Sequence, residues 1–368
     1  MLTRVLCAAG AALFALNIAA STAAAETRIA FVNPGLKDEF FWPEVSRTMQ
    51  AAADQFGFSL EIVYAERDAQ RMINLGLAQV AQATPPDILI LVNEFQAAPE
   101  VLEAADARGI KVLMLLNAFI GEQLREMDVP GRKHPHWIGS LVPSNLGAGQ
   151  RMAETLTECM ADHALADSAD KFHVLALAGD ARTPASLERT AGMHAGFANA
   201  KSVVIDRHFR TNWQAPDARR QTLNYLDWTK THDVRPSGIW AANDALALGA
   251  IEAVRERGLK PGSDICIVGL NWSPDALTLV RDGVMAGTDG GHFLAGGWAM
   301  VMINDYLQQK KPLGNVSFEM AGIDRHNVQQ FMAELGNRDW RRIPFPRFAR
   351  TDSGYDFSLT RILTYLSE

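Results

Sequence analysis

The side chains best suited to hold a small polar molecule recur at one kind of place in this sequence, directly after short apolar runs. Residues 28–32 lead to Asn33, Pro34 and Gly35, then to Phe40, Phe41 and Trp42. Residues 87–92 end in Asn93 and Glu94, and residues 110–116 in Asn117. Further on, Asp180 follows 172–177, Arg210 and Trp213 follow 203–209, Asn243 and Asp244 follow 238–242, and Asn271 and Trp272 follow 265–270. A late run, 285–288, opens into Asp289-Gly290-Gly291-His292. Amides and carboxylates exchange directional hydrogen bonds with hydroxyls, and flat rings cover the C–H faces of a polyhydroxylated molecule. Such a site is selective because a missing hydroxyl leaves a buried protein group unpaired.

The elements between these points explain why they should converge. Helix-like segments alternate with the apolar runs: 41–56, closed by Gly57; 68–84, stopped by Pro85-Pro86; and 99–108, before Gly109. The rhythm restarts with helices at 185–198, 216–231 and 244–257, the last closed by Gly258. Alternation of this kind implies a parallel sheet with helices on both faces, and ligands bind beyond the carboxyl ends of its strands. The expectation is α/β, two doubly wound parallel-sheet lobes joined by a multi-strand hinge of about three crossings. The first lobe takes residues 26–140 plus 292–316, and the second takes 141–291 plus 317–368, with 134–143 as the first crossing. After a helix at 295–307 and a last strand at 316–320, the tail from Ala321 is read as loop and short helices packed across a lobe.

Composition narrows the classes. The chain has 368 residues, 48% of them hydrophobic and 21% charged, with a formal net charge of −7. It has too much apolar material for a disordered chain and no basic run that would grip a phosphate backbone, so nucleic acid is excluded as a partner. Arg4, the apolar stretch 5–20 and the Ala23/Ala25 pair read as a secretory signal over residues 1–25, making the mature protein periplasmic. No later stretch is long enough to span a bilayer. The three cysteines form no CxxC pair; Cys266, inside an apolar strand, is expected as a buried thiol, with a bridge to Cys159 as the lesser alternative. His134 and His136 read as a solvated loop, and neither a metal nor a cofactor is expected. GxGxxG, GxxxxGK[ST], HExxH and GxSxG are all missing, so the chain is not read as an enzyme.

Several stretches carry a family resemblance. Ile29-Ala30-Phe31-Val32 followed by Phe40-Phe41-Trp42 resembles the opening strand and aromatic pair of the ribose/galactose-type, type I periplasmic sugar-binding proteins. Residues 185–192 (ASLERTAG) resemble that family's A-x-x-E-R-x-x-G helix, residues 239–250 its A-x-N-D-x-M-A-L-G-A stretch, and residues 267–271 its V-V-G-F-D. The resemblance covers about 27–316 and implies ligand binding by Phe41, Trp42, Asn93, Asn117, Arg189, Trp213, Asn243, Asn271 and His292. Leu116-Asn117 stands where the family carries Asp-Arg, Asn271 where it carries Asp, and His292 near its late glutamine. These departures point away from ribose and galactose toward a different small polar ligand. The implied function is capture of a sugar or sugar-like polyol by a monomer for delivery to the membrane permease of an ABC importer. The alternative is docking of the loaded protein on a membrane receptor kinase or similar sensor, with the tail as docking surface.

Overall fold

The computed structural model describes residues 26–309 and 311–368; the segment 1–25, read as a signal, lies outside them. The first half alternates β1 (Arg28–Asn33), α1 (Phe41–Phe56), β2 (Ser59–Tyr64), α2 (Ala69–Ala81), β3 (Ile88–Leu91), α3 (Pro99–Ala107), β4 (Lys111–Leu115), α4 (Gly121–Met127) and β5 (Trp137–Pro143). The second half runs α5 (Asn145–Asp162), β6 (Phe172–Ala178), α6 (Pro184–Ala198), β7 (Val203–Arg210), α7 (Ala215–Thr231), β8 (Pro236–Ala241), α8 (Asp244–Glu256), β9 (Cys266–Leu270), α9 (Pro274–Arg281) and β10 (Gly287–Gly290). The chain ends with α10 (Ala295–Gln309), β11 (Gly314–Phe318), β12 (Ala321–Asp324), α11 (Val328–Leu335) and α12 (Leu359–Ser367).

Two six-stranded sheets result, ordered β11-β5-β4-β3-β1-β2 and β12-β10-β9-β8-β6-β7. The pairings are parallel except for β12, which runs antiparallel to β10. Strand β3 is buried along its whole length, as a parallel strand covered by helices on both faces must be. In each sheet the strand order reverses beside the first strand, at β1/β3 and β6/β8. The two crevices opened by these reversals face one another, which is where doubly wound sheets hold ligands.

Three features differ from the sequence expectation. Residues 134–143 are not a crossing: most of them form β5, which pairs with β4 and β11 inside the first sheet. Gly139 and Pro143 suggested a connector, yet Pro143 merely ends the strand and Gly139 sits where a Cβ would crowd the Gly314 carbonyl and Leu313. The crossing falls instead at Ser144, before α5. That helix is not evident in the sequence because its buried stripe, Ala148, Met152, Leu156 and Met160, carries one branched aliphatic residue among alanine, methionine and polar residues.

Cys266 is not a free thiol. It is bonded to Cys159, pinning α5 to β9 across 107 residues of sequence. One partner opens a strand and the other lies near a helix end, so nothing in their spacing announces the pair.

The tail, expected with the second lobe, divides between the two. Strand β12 joins the second sheet, and α11 packs on α9. The chain then returns to the first lobe, where Trp340, Ile343, Phe345 and Phe348 are buried and the Phe345 ring lies against Gly297 of α10. Glu44, buried in α1, accepts from Trp340 Nε1 at 2.7 Å and pairs with Arg338 and Arg47. A buried carboxylate needs such donors, and losing one strands it.

Two outcomes follow. Replacing Cys159 and Cys266 together by alanine should lower unfolding free energy by ~2–4 kcal/mol in chemical denaturation, the usual contribution of a native bridge; an unchanged midpoint contradicts the link. Truncation after Gly336 should lower the melting temperature sharply or prevent folding, because it uncovers α1 and α10; a melting curve matching the full chain would show that the tail carries no structural role.

Candidate functional site

A cavity of about 260 Å³ lies between the two sheets' carboxyl edges. The first-lobe wall is Glu39, Phe40, Phe41, Trp42, Arg67 and Glu94; the second-lobe wall is Thr183, Ala185, Arg189, Trp213, Asn243, Asp244, Ala245, Leu248, Asn271, Ser273, Pro274 and Asp275; His292 stands at the crossing after β10.

On the first lobe, Asn33 at the end of β1 organises the loop that carries the aromatics. Its Nδ2 donates to the Trp42 carbonyl at 3.1 Å and to Ser46 Oγ at 3.0 Å, and its Oδ1 accepts from Gly35 N–H at 2.9 Å. Trp42 is thereby buried beside Phe41, whose ring stacks on His292 with centroids 4.3 Å apart. Glu39 accepts from Leu36 N–H at 3.1 Å and from Arg67 Nε at 2.9 Å, so this carboxylate and guanidinium neutralise each other in the wall.

On the second lobe, Arg189 is wholly buried and met from several sides. Nε donates to Asn145 Oδ1 at 2.9 Å, Nη1 to the Ala242 carbonyl at 3.0 Å, and Nη2 lies 3.2 Å from His292 Nε2. Its position depends on α5 and α6 touching backbone to backbone. A Cβ on Gly149 would overlap the Arg189 carbonyl, and one on Gly192 would overlap that of Leu146. Burial pushes the guanidinium down to about 10, still cationic at neutral pH. Arginine only donates, so the facing His292 Nε2 accepts and the proton resides on Nδ1. That Nδ1 is buried without a hydrogen-bond partner among the described residues. Burial first, and Arg189 second, drive the His292 pKa well below its ordinary value, so the ring is neutral.

Trp213 is held flat by its Nε1–H donating to Asp180 Oδ2 at 2.8 Å, and fits only because Gly179 has no side chain beneath the ring. Asn243 caps α8 through Oδ1, which accepts from Leu246 N–H at 2.9 Å. Asp244 accepts from Ser273 N–H at 2.8 Å and Thr288 Oγ1 at 2.7 Å. Burial raises it to about 6. Asn271, with φ at 147°, presents an amide that hydrogen-bonds no other side chain among the described residues.

The structure thus brings Phe41, Trp42, Arg189, Trp213, Asn243, Asn271 and His292 to one cavity. It does not bring Asn93 or Asn117 there. Asn93 turns away from the cavity, accepting from Ala98 N–H at 3.2 Å in its own loop and donating to Ala118 O at 3.2 Å and Gln123 Oε1 at 2.8 Å beyond β4. Its neighbour Glu94 takes the place instead, fully buried, and burial outweighs Arg67 to raise its carboxyl to about 7. Asn117 supports Glu94 from behind, Nδ2 to Oε2 at 2.9 Å. Arg67 was missed because the end of the second strand was not read for chemistry. Glu39, Thr183 and Ser273–Asp275 flank positions that were.

The family described as "Periplasmic binding protein domain" matches residues 29–311. A solved periplasmic sugar-binding protein from Pseudomonas fluorescens is 30% identical, with a TM-score of 0.80 over 93% of this chain and 100% of that one. That share exceeds what the chain without its tail could supply. The ribose import binding protein of Escherichia coli (strain K12) is 26% identical over 73% of this chain and 80% of its own length. The periplasmic binding component of the arabinose ABC transporter of Shewanella sp. ANA-3, solved with L-arabinofuranose, shares the fold at a TM-score of 0.72, 20% identity, 88% of this chain and 100% of that one. The chain belongs to the periplasmic binding protein family, in its type I, sugar-binding kind.

Proposed function

We propose that the protein captures a neutral polyhydroxylated molecule, a sugar or polyol, in the cleft between its lobes and passes it unaltered to the permease of an ABC importer. The observation that carries this is the charge bookkeeping of the cavity. Arg189 is met by protein acceptors, Glu39 pairs with Arg67, and Asp244 is capped by Ser273 and Thr288. What is left over for a ligand is an amide on Asn271, a neutral donor on His292 and a carboxyl on Glu94, between the rings of Trp42 and Trp213. These groups bind hydroxyls and C–H faces and, among the described residues, leave an anion no free cation, since both cavity arginines are already met by protein groups; the carboxylates without an ion pair are Glu94 and Asp244, both raised by burial, and Asp275, exposed at the wall. At about 260 Å³ the cavity lies just below the usual ~300–1,000 Å³ range for ligand sites, which suits a single small ring.

The names of the Pseudomonas fluorescens and Escherichia coli relatives, a sugar-binding protein and a ribose import binding protein, support the same class of ligand and a role in import. The Cys159–Cys266 bridge supports an oxidising compartment, as the signal reading of residues 1–25 does. Among the described residues no helix is long and apolar enough to cross a membrane. Nothing favours the sensor reading: the tail that suggested it is folded into both lobes, and the Pseudomonas fluorescens match extends over it.

A melting panel of pentoses, hexoses and inositols, with sugar acids and amino sugars as charged controls, should show at least one neutral member raising the melting temperature by mass action. A shift only from charged members, or from none, contradicts the proposal. Asn271→Ala should weaken that ligand roughly 5- to 30-fold, the loss of about 1–2 kcal/mol of hydrogen bonding, with the ligand-free melting temperature unchanged; unaltered affinity would remove Asn271 from the site. Glu94 supplies a pH test. Its folded pKa of about 7 lies above the ordinary 4.5, so its stabilising contribution is complete below pH 4.5 and is lost as pH rises through about 7. The ligand-free melting temperature should therefore fall between about pH 4.5 and 7 and level off above that, and Glu94→Gln should flatten that fall; identical profiles would contradict a buried, titrating Glu94.

A further inference from the structure

Asn117 lines no part of the cavity, yet its side chain touches both lobes. Nδ2 donates to Glu94 Oε2 at 2.9 Å within the first lobe, and Oδ1 accepts from the backbone N–H of Ala185, in the first turn of α6 on the second lobe, at 2.9 Å. The polarity is forced. The Ala185 N–H is one of the first-turn donors that a helix leaves unpaired, so the amide oxygen must face α6 and the NH₂ must face Glu94. The backbone fixes where this amide stands. Leu116 adopts φ 64°, its N–H donates to the Leu141 carbonyl at 2.8 Å, and the Asn117 carbonyl accepts from Asn93 N–H at 2.8 Å.

The same rim carries further contacts of the same kind. Phe95 N–H reaches Thr183 Oγ1 at 3.4 Å, Gln96 Nε2 donates to the Arg182 carbonyl at 3.1 Å, and the Arg182 guanidinium sits over the Phe95 ring. Phe95 and Gln96 are both held at positive φ, 52° and 60°. Two consecutive non-glycine residues in that region persist only where surroundings hold them. The rim contacts with the other lobe supply part of that hold.

We propose that Asn117 is a positioning residue, a latch between the lobes that aims the Glu94 carboxyl into the cavity only when the cleft is shut. The inference rests on the reading above of a ligand captured between closing lobes. With the lobes apart, Asn117 loses the Ala185 N–H that fixes its orientation, and Glu94 loses a fixed donor. Closure then assembles the rim contact and the ligand group in one step, so a ligand gripping Glu94 prefers the closed form. Glu94 is faced by Arg67 and Glu39 from its own lobe and by Asp180 and Arg189 from the other.

The test needs no ligand. In the mature protein carrying Gln96→Cys and Arg182→Cys, the rate at which a short bifunctional thiol reagent joins the two positions reads how often the cleft closes. Asn117→Ala should slow joining roughly five- to tenfold, the worth of a buried hydrogen-bonded amide. Asn117→Asp should slow it progressively more as pH rises, because two carboxylates then face each other without a donor. Adding Glu94→Gln to Asn117→Asp should restore the rate, since the introduced amide donates to the introduced carboxylate while the Ala185 N–H still does. A role in packing alone gives no such rescue. An unaltered rate in Asn117→Ala, or no rescue in the double variant, overturns the latch. The two readings fail separately: lost rescue sinks the latch even if sugars bind, and absent sugar binding sinks the capture reading even if rescue appears.

Discussion

A guanidinium taken out of water must be met on every side, and Arg189 is where this fold concentrates that demand. The partners come from α5 (Asn145), from the residue after β8 (Ala242) and from the crossing after β10 (His292). To reach all three, α6 must lie against α5 closely enough that Gly149 and Gly192 have no room for a Cβ. The carboxyls of Asp289, Glu94, Glu188 and Asp244 surround the group and hold its charge in place. From this one cation the cavity inherits its chemistry. Arg189 makes His292 an acceptor at Nε2 and hence a donor at Nδ1, and the His292 ring in turn sets the plane of Phe41 on the opposite lobe.

His292 sits on a crossing between lobes, so the same contacts tie the site to the hinge. The chain passes between sheets after β5, after β10 and between β11 and β12, and the tail passes back again to seat Trp340 on Glu44. The aromatic rings of Trp272, Phe293, Phe331 and Trp340 fill the space where these passages meet. Trp272 follows directly on Asn271, so a cavity-lining amide and the tail's packing share one peptide. Movement of the lobes therefore has to be accommodated by a crowded aromatic cluster rather than by a bare linker.

Much of this was legible in the sequence because the βα rhythm is strong and because the site is made at strand ends. Reading the residue after each strand found Asn243, Asn271, Trp213 and the aromatic loop, and it found Arg189 through the resemblance of its helix. The failures have physical causes. Asn93 and Glu94 are adjacent, and which of them faces the cavity is decided by contacts composition does not reveal, the Asn93 amide being taken up by Ala98, Ala118 and Gln123. Asn117 serves the site through Glu94 and Ala185, a role visible only once the second lobe is in place. Strand β5 carries the punctuation of a loop, α5 hides its stripe in alanine and methionine around a single leucine, and Cys159 and Cys266 meet only because α5 lies across β9. The tail's two halves belong to different lobes because its large apolar residues, Trp340 through Phe348, cover α1 and α10 rather than the sheet that β12 extends.

A cavity whose arginines are already met by protein groups is held here to take a neutral, hydroxyl-rich molecule and let it go intact. Native mass spectrometry of the mature protein purified without added sugar, followed by release and mass determination of whatever is bound, tests this most directly. One molecule per chain is expected, of a mass and formula fitting a small neutral sugar or polyol, that rebinds after release. A bound ion, a charged metabolite or a molecule recovered in altered form would contradict it.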